Sequence, residues 1–168
     1  MELRPLESSD ADQLYQLTNH NIEILLDAFP VTLEGTITPQ ATKASIQKYQ
    51  DAFDERRLYV FGSFLSEELV GLFFIKSIDW KVGKAEIAYF IDLKNQGQGL
   101  ATSGIQFLIE YAFNQLDLNK LYSRIDPENI PSIRVVEKNG FVKEGHLRQE
   151  YRVSTGKIID LLYYGLLK

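Results

Sequence analysis

The stretch NQGQGLATSG, from Asn95 to Gly104, places Gly97, Gly99 and Gly104 among small residues just ahead of an apolar run with helical spacing. Glycine costs conformational entropy, so such a cluster implies either strained dihedrals or a ligand that approaches the main chain closely. Strand, glycine-rich turn and helix in that order make an anion site. The first helical N–H groups are unpaired, and the helix dipole favours negative charge beside them. A phosphate group suits the site; a tight turn without a ligand is the bland reading of a glycine pair. Two familiar phosphate motifs fail here. A dinucleotide fingerprint needs Gly or Ala where Thr102 stands and opens a parallel βαβ unit, which argues against a nicotinamide cofactor. Gly99 and Gly104 have P-loop spacing, but Ile105 occupies the place of the phosphate-binding lysine, which argues against nucleotide hydrolysis.

Three further residues carry chemistry. Glu86, in KAEIAYFI, is the one acid between Ala85 and Ile87 on a strand expected to be central, where partial burial would improve it as a proton acceptor. The local pattern equally fits a strand glutamate that faces solvent or is satisfied by a lysine. Asn129 and Ser132, in ENIPS, precede a short helical segment; Ser132 after a proline reads as an N-cap. His20 and His146 have no acidic or histidine neighbours at metal-ligand spacing, so they read as polar surface or core residues and no metal is expected. Ser63, Ser103 and Ser123 lack the G-x-S-x-G context of a hydrolase nucleophile. Trp80, Phe73, Phe74, Tyr163 and Tyr164 have few basic residues between them, so they read as core or subunit contacts rather than a base-stacking platform.

The elements that must position these residues follow from periodicity. Leu3 to Leu6 form a first strand, and Ser9 with Asp12 resembles a capping box opening a helix that carries Leu14 and Leu17. A polar break at Thr18 to Asn21 precedes the apolar run Ile22 to Phe29, and a turn is expected from Pro30 to Thr36. Thr38 and Pro39 open a helix through Ile46, Tyr49 and Phe53. LYVFGSF, LVGLFFIKSI and KAEIAYFI are three consecutive antiparallel strands. After the glycine loop, Ile105, Leu108, Ile109, Ala112, Phe113 and Leu116 share a helix face. KLYSRID is a strand, Ser132 to Asn139 a helix ended by Gly140, and Lys157 to Leu166 a last strand pairing with Arg148 to Val153. The class is α+β: a mixed, mainly antiparallel central sheet of about six to seven strands, flanked by helices.

A chain of 168 residues with 45% hydrophobic and 24% charged content fits one domain over residues 1–168. The net charge of -5 argues against direct nucleic-acid binding, whose phosphates demand a basic footprint. The absence of cysteine excludes disulfide and thiolate metal chemistry. No segment reaches the ~18 apolar residues of a membrane span, and the N-terminal residues lack an apolar signal core, so the expectation is a cytoplasmic protein without a membrane partner. Most oligomers of soluble proteins are C2 homodimers, so a homodimer is the expected assembly if the chain associates.

The run KNQGQGLA, Lys94 to Ala101, resembles the R/Q-x-x-G-x-G/A acyl-CoA motif of the GNAT superfamily of N-acetyltransferases. KAEIAYFI, DPENIPSIRVVEKNGFVKEGHLR and the late Asp160 resemble its branch of ribosomal-protein N-terminal acetyltransferases. The resemblance covers nearly the whole chain, with the motifs in the right order; Lys94 departs from the usual Arg or Gln. It implies acetyl-CoA as co-substrate, with the coenzyme A pyrophosphate on the loop of Gln96, Gly97, Gln98, Gly99, Leu100, Ala101 and Thr102. Pantetheine would lie beside Tyr89, Phe90 and Ile91, since an amide-bearing arm pairs with a strand edge as a peptide does. It also implies direct transfer to a primary amine, with Glu86 positioning or deprotonating the acceptor. Asn129 would hold the pantetheine amide and Ser132 would donate to the leaving sulfur.

Such a transfer needs a neutral amine, stabilisation of an oxyanion and a proton for the thiolate. At pH 7 an unperturbed lysine needs ~4.6 kcal/mol to lose its proton and an α-amine ~1 kcal/mol, so an N-terminal amine asks less of its base. Many members of the superfamily protonate the thiolate with a tyrosine four residues before the glycine of the GF pair; here that position is Val136. The resemblance also implies that acceptors enter over the N-terminal helices, near Asn19 to Asn21 and Pro30 to Thr36. The rival reading is a non-catalytic acyl-CoA-binding sensor that kept the phosphate loop and lost acceptor chemistry.

Overall fold

The branched and aromatic runs fold as strands: β1 (Glu2–Pro5), β2 (Tyr59–Leu65), β3 (Glu68–Asp79), β4 (Lys84–Ile91), β5 (Lys120–Ile125), β6 (Val142–Arg152) and β7 (Ile158–Leu167). They are seen in a computed structural model that describes residues 1–168. All seven join one sheet in the order β1-β2-β3-β4-β5-β7-β6. Every neighbouring pair is antiparallel except β4 and β5. Helices are α1 (Ala11–His20), α2 (Ile22–Ala28), α3 (Pro30–Glu34), α4 (Pro39–Asp54), α5 (Leu100–Glu110) and α6 (Ile130–Lys138).

The parallel pair is brief. Its register runs only through Lys84 with Lys120, Ala85 with Leu121 and Glu86 with Tyr122. Past that point β4 stays with β3 as far as Ile91 opposite Gly71, while β5 stays with β7 as far as Ile125 opposite Leu162. The two strands therefore part at Glu86, leaving the β5-facing edge of β4 without a strand partner.

Strand alternation sends side chains into two cores. On one face Phe73, Ile75, Ile87, Leu121 and Leu162 pack with Ile105 and Leu108 of α5 and Val136 of α6. On the other, Val60, Leu72, Phe74 and Phe90 pack with Leu14 and Leu17 of α1, Leu25 of α2 and Ile46 of α4. Gly104 lets α5 approach the first face: a Cβ there would lie 2.0 Å from Phe73 Cζ. Thr38 caps α4 as its sequence predicts, its Oγ1 accepting from the Ala41 amide at 3.1 Å.

Four details differ from the sequence expectations. Residues Pro30–Glu34 form the helical turn α3 rather than an open turn. The capping box lies in the 3-10 turn Ser8–Asp10 that leads into α1, where the Asp10 carboxylate accepts from the Glu7 amide at 2.7 Å, and not at Ser9 and Asp12. α6 begins at Ile130, with Asn129 as N-cap, so Ser132 is not the cap. β6 begins at Val142, well before Arg148. It is an edge strand exposed along most of its length, so it lacks the alternating apolar signal that marks a half-buried strand.

Candidate active site

Where β4 and β5 part, a cavity of ≈ 310 Å³ opens that is lined from both faces of the sheet. Glu86 and Ala88 point to the side of the N-terminal helices, and Tyr89, Ser123 and Ser132 to the side of α5 and α6. Ile24, Asp27 and Phe29 at and after α2 line it, together with Tyr151, Val153 and Ile159 of the β6–β7 arm. That arm is tied to α2: the Tyr151 hydroxyl donates to the Asp27 carbonyl at 2.7 Å, and the Ser154 amide to Asp27 Oδ1 at 2.7 Å. The Ser154 bonds hold the Asp27 carboxyl below the usual carboxylate range.

Glu86 is only 4% exposed. Arg124 binds it with both arms of its guanidinium, Nε to Oε1 at 3.1 Å and Nη2 to Oε2 at 3.0 Å. Lys76 Nζ stands 3.9 Å from Oε1, and Glu150 stands 3.8 Å from Arg124 Nη1. The bond to Glu86 raises the Arg124 guanidinium above its ordinary value, against desolvation. A carboxylate has about four acceptor sites, so after Arg124 each Glu86 oxygen still has room for another donor. The sequence left Glu86 open between a solvent-facing residue and one satisfied by a lysine; the structure buries it and gives it two cations.

The glycine loop behaves differently. Gly97 and Gly99 have φ of +76° and +80°, and a Cβ on either would meet nothing within 4 Å. Gly99 is the N-cap of α5, and no side chain caps that helix. None of the amides from Gly97 to Thr102 donates to an acceptor within the protein; the first bonded one is Ser103, to the Gly99 carbonyl. Consecutive free donors at a helix N-terminus, reached by left-handed glycines that leave open space in front, fit a diphosphate. Gln96 is bound differently: its Nε2 donates to the Ile91 carbonyl at 3.2 Å, at the end of β4. Leu93 and Asp92 just before the loop are anchored by Asn21, whose Oδ1 accepts from the Leu93 amide and whose Nδ2 donates to Asp92. Asn21 is therefore buried structure behind the loop rather than part of an acceptor wall.

At the head of α6, Asn129 Oδ1 accepts from the Ser132 amide at 3.1 Å, leaving its Nδ2 free. Ser132 Oγ lies 3.4 Å from the Tyr89 hydroxyl. Val136, one turn beyond Ser132, is fully buried. Phe90 points into the other core and offers only its main chain. His146 is paired with Asp160 on the β6–β7 arm, Nε2 to Oδ2 at 2.7 Å. No three His, Cys, Asp or Glu residues gather as a metal site, and no helix is long and apolar enough to cross a membrane. Sequence reading missed Arg124, which is 38 residues from Glu86 with no local signal of the pairing. It also missed Lys76: a register count back from the WKVG turn sets Ser77 opposite Glu86, and an irregularity between Lys76 and Asp79 shifts the pairing so that Lys76 stands there instead.

Free amides at a helix head, an adjacent free strand edge and a buried acid on the far face of the sheet are the parts an acyl-CoA transferase needs. The family model described as "Acetyltransferase (GNAT) domain" matches residues 1–142. The uncharacterized N-acetyltransferase p20 of Bacillus licheniformis is 33% identical, over 100% of this chain and 93% of that protein. The spermidine N(1)-acetyltransferase of Escherichia coli strain K12 is 31% identical, over 92% of this chain and 79% of that protein. The structure of the ribosomal L7/L12 α-N-protein acetyltransferase RimL in complex with coenzyme A shares the fold, with a TM-score of 0.90 at 22% identity, covering 98% of this chain and 92% of that one. The chain belongs to the GNAT acetyltransferase family, and it is an N-acetyltransferase acting on amines.

Proposed function

We propose that this enzyme transfers acetyl from acetyl-CoA directly to a weakly basic primary amine, foremost the N-terminal α-amine of a protein or peptide. The observation that carries the reading is the run of free amides from Gly97 to Thr102 at the end of the strand that bears buried Glu86. The amides of Gly97, Gln98, Gly99, Leu100, Ala101 and Thr102 would bind the coenzyme A diphosphate, with Gln96 bracing the strand end. The free edge of Tyr89, Phe90 and Ile91 would pair with the pantetheine amides, joined by Asn129 Nδ2. When bound, acetyl-CoA supplies an activated acyl group as its thioester.

Glu86 would orient the amine and take up its proton, directly or through one water, while Arg124 fixes the carboxylate plane. Ser132 would hold a hydrogen bond at the sulfur position. Two cations beside Glu86 disfavour a further ammonium there, and deprotonation costs ~1 kcal/mol for an α-amine against ~4.6 for a lysine side chain. The RimL neighbour is named for a protein α-amine and the E. coli relative for spermidine; the charges around Glu86 favour the first kind.

Incubation with acetyl-CoA and a panel of free-N-terminus peptides, Nα-blocked lysine peptides and spermidine, read by mass spectrometry, tests this. The expected result is acetylation of peptide α-amines ahead of the other two. Faster transfer to spermidine or to lysine side chains overturns the acceptor assignment. Acetyl-CoA binding with no turnover on any amine would make the protein an acyl-CoA sensor instead.

A further inference from the structure

With Val136 buried and apolar, the α6 face that carries Asn129 and Ser132 offers no acid beyond the serine hydroxyl. A serine alcohol alone is a poor proton donor. β4 supplies the missing group. Tyr89 shares the strand with Glu86, but alternation turns it to the opposite face, toward α6. Its ring is fixed by stacking on Phe73, with centroids 5.7 Å apart and planes at 14°, and Phe73 is itself fully buried. Its hydroxyl donates to Ser132 Oγ at 3.4 Å. The Ser132 backbone is pinned by Asn129, and its own hydroxyl proton has no acceptor within the protein. Both side chains line the cavity at the strand gap.

We propose that Tyr89 is the proton source of the transferase, acting through Ser132. This rests on the acetyl-transfer reading above. As the carbon–sulfur bond of the thioester breaks, Ser132 Oγ gives its proton to the departing sulfur and takes the proton of the Tyr89 hydroxyl. The phenolate regains a proton from solvent, and the proton lost by the amine leaves through Glu86. One proton thus enters at sulfur and one departs from nitrogen. Burial raises the Tyr89 phenol above its ordinary value while the Ser132 bond opposes that rise, so it is protonated at neutral pH, as a donor must be. The division of labour is spatial: the acid and the base are neighbours on one strand, kept apart by the sheet itself.

The coupling is read first on the ligand-free protein, by NMR of 13Cζ-tyrosine, with Tyr89→Phe assigning the Tyr89 signal. Ser132→Ala should shift that signal and move its titration upward, because the hydroxyl that can turn and donate to the phenolate is gone; Ser132→Thr should restore it. In turnover, Tyr89→Phe should lower kcat about 10- to 100-fold with KM for acetyl-CoA changed less than about twofold. Tyr89→Phe/Ser132→Ala should be no slower than the slower single variant, as expected of groups that act as a unit. A Tyr89 signal indifferent to Ser132→Ala, or full kcat in Tyr89→Phe, overturns the relay and leaves acetyl transfer standing. Absence of transfer by the wild-type protein overturns the underlying reading instead.

Discussion

Gly104 and Gly99 belong to one glycine-rich stretch, yet the structure gives them different work, and substitution by alanine separates the two. At Gly104 the new Cβ would stand 2.0 Å from Cζ and 2.1 Å from Cε1 of Phe73. Reaching ordinary contact of about 3.5 Å requires α5 and Phe73 to separate by ~1.5 Å. Phe73 has no free direction, being fully buried and stacked against Tyr89. Overpacking of this kind costs about 1–3 kcal/mol, offset by ~0.5–1 kcal/mol because alanine is the better helix former. With three Phe73 ring atoms within 2.8 Å the overpacking cost lies in the upper half of that range, so the net loss is ~1–2 kcal/mol, or a fall of ~0.5–1 M in the urea midpoint for a slope near 2 kcal/mol/M. Gly99→Ala also costs ~1–2 kcal/mol, but through the left-handed φ of +80° and with no neighbour to meet. Phe73→Leu therefore distinguishes them. It should offset part of the loss in Gly104→Ala, with a coupling of ~1 kcal/mol, and leave the loss in Gly99→Ala unchanged. Gly104→Ala as stable as wild type, or strictly additive with Phe73→Leu, refutes the packing argument.

Three further outcomes follow from charges. Glu86→Gln should reduce turnover more than acetyl-CoA binding, measured by kinetics and calorimetry. Arg124→Gln should cost ~2 kcal/mol in urea titration, below the 3–5 of a fully buried pair because the Arg124 side chain is 36% exposed, and Glu86→Gln in the same chain should restore most of it. Asp10 lies buried on Arg4, and although burial pushes its carboxyl up, the bonds from Arg4 and the Glu7 amide outweigh it and hold the carboxyl below its ordinary value. Its folded pKa is depressed, so the stabilisation is present at neutral pH and lost as pH falls. Asp10→Asn should cost ~1–3 kcal/mol at pH 7, with the gap to wild type narrowing as pH drops below ~3.9 in urea titrations at stepped pH.

The sequence by itself determined the strand and helix order, the three antiparallel strands before the loop and the glycine-rich helix start, because these rest on local dihedral preferences and on periodicity over a few residues. The motif spacing from Lys94 to Ala101 was equally local. It showed only the end of the exposed β6, from Arg148 on, because no buried face imprints a period on the rest, and it did not show α3, which is only a turn long. What only the tertiary structure decided is the meeting of residues distant in the chain. Glu86 becomes a clamped carboxylate because β5 lies beside β4 for three residues and then leaves it, bringing Arg124 across. Tyr89 becomes a neighbour of Ser132 because α6 returns to the gap that this parting opens. Gly104 proves to serve packing while Gly97 and Gly99 serve the loop, and nothing in their spacing separates them; the position of Phe73 on a facing strand does. Local sequence fixes which way successive side chains alternate, but long-range pairing decides what stands opposite each one.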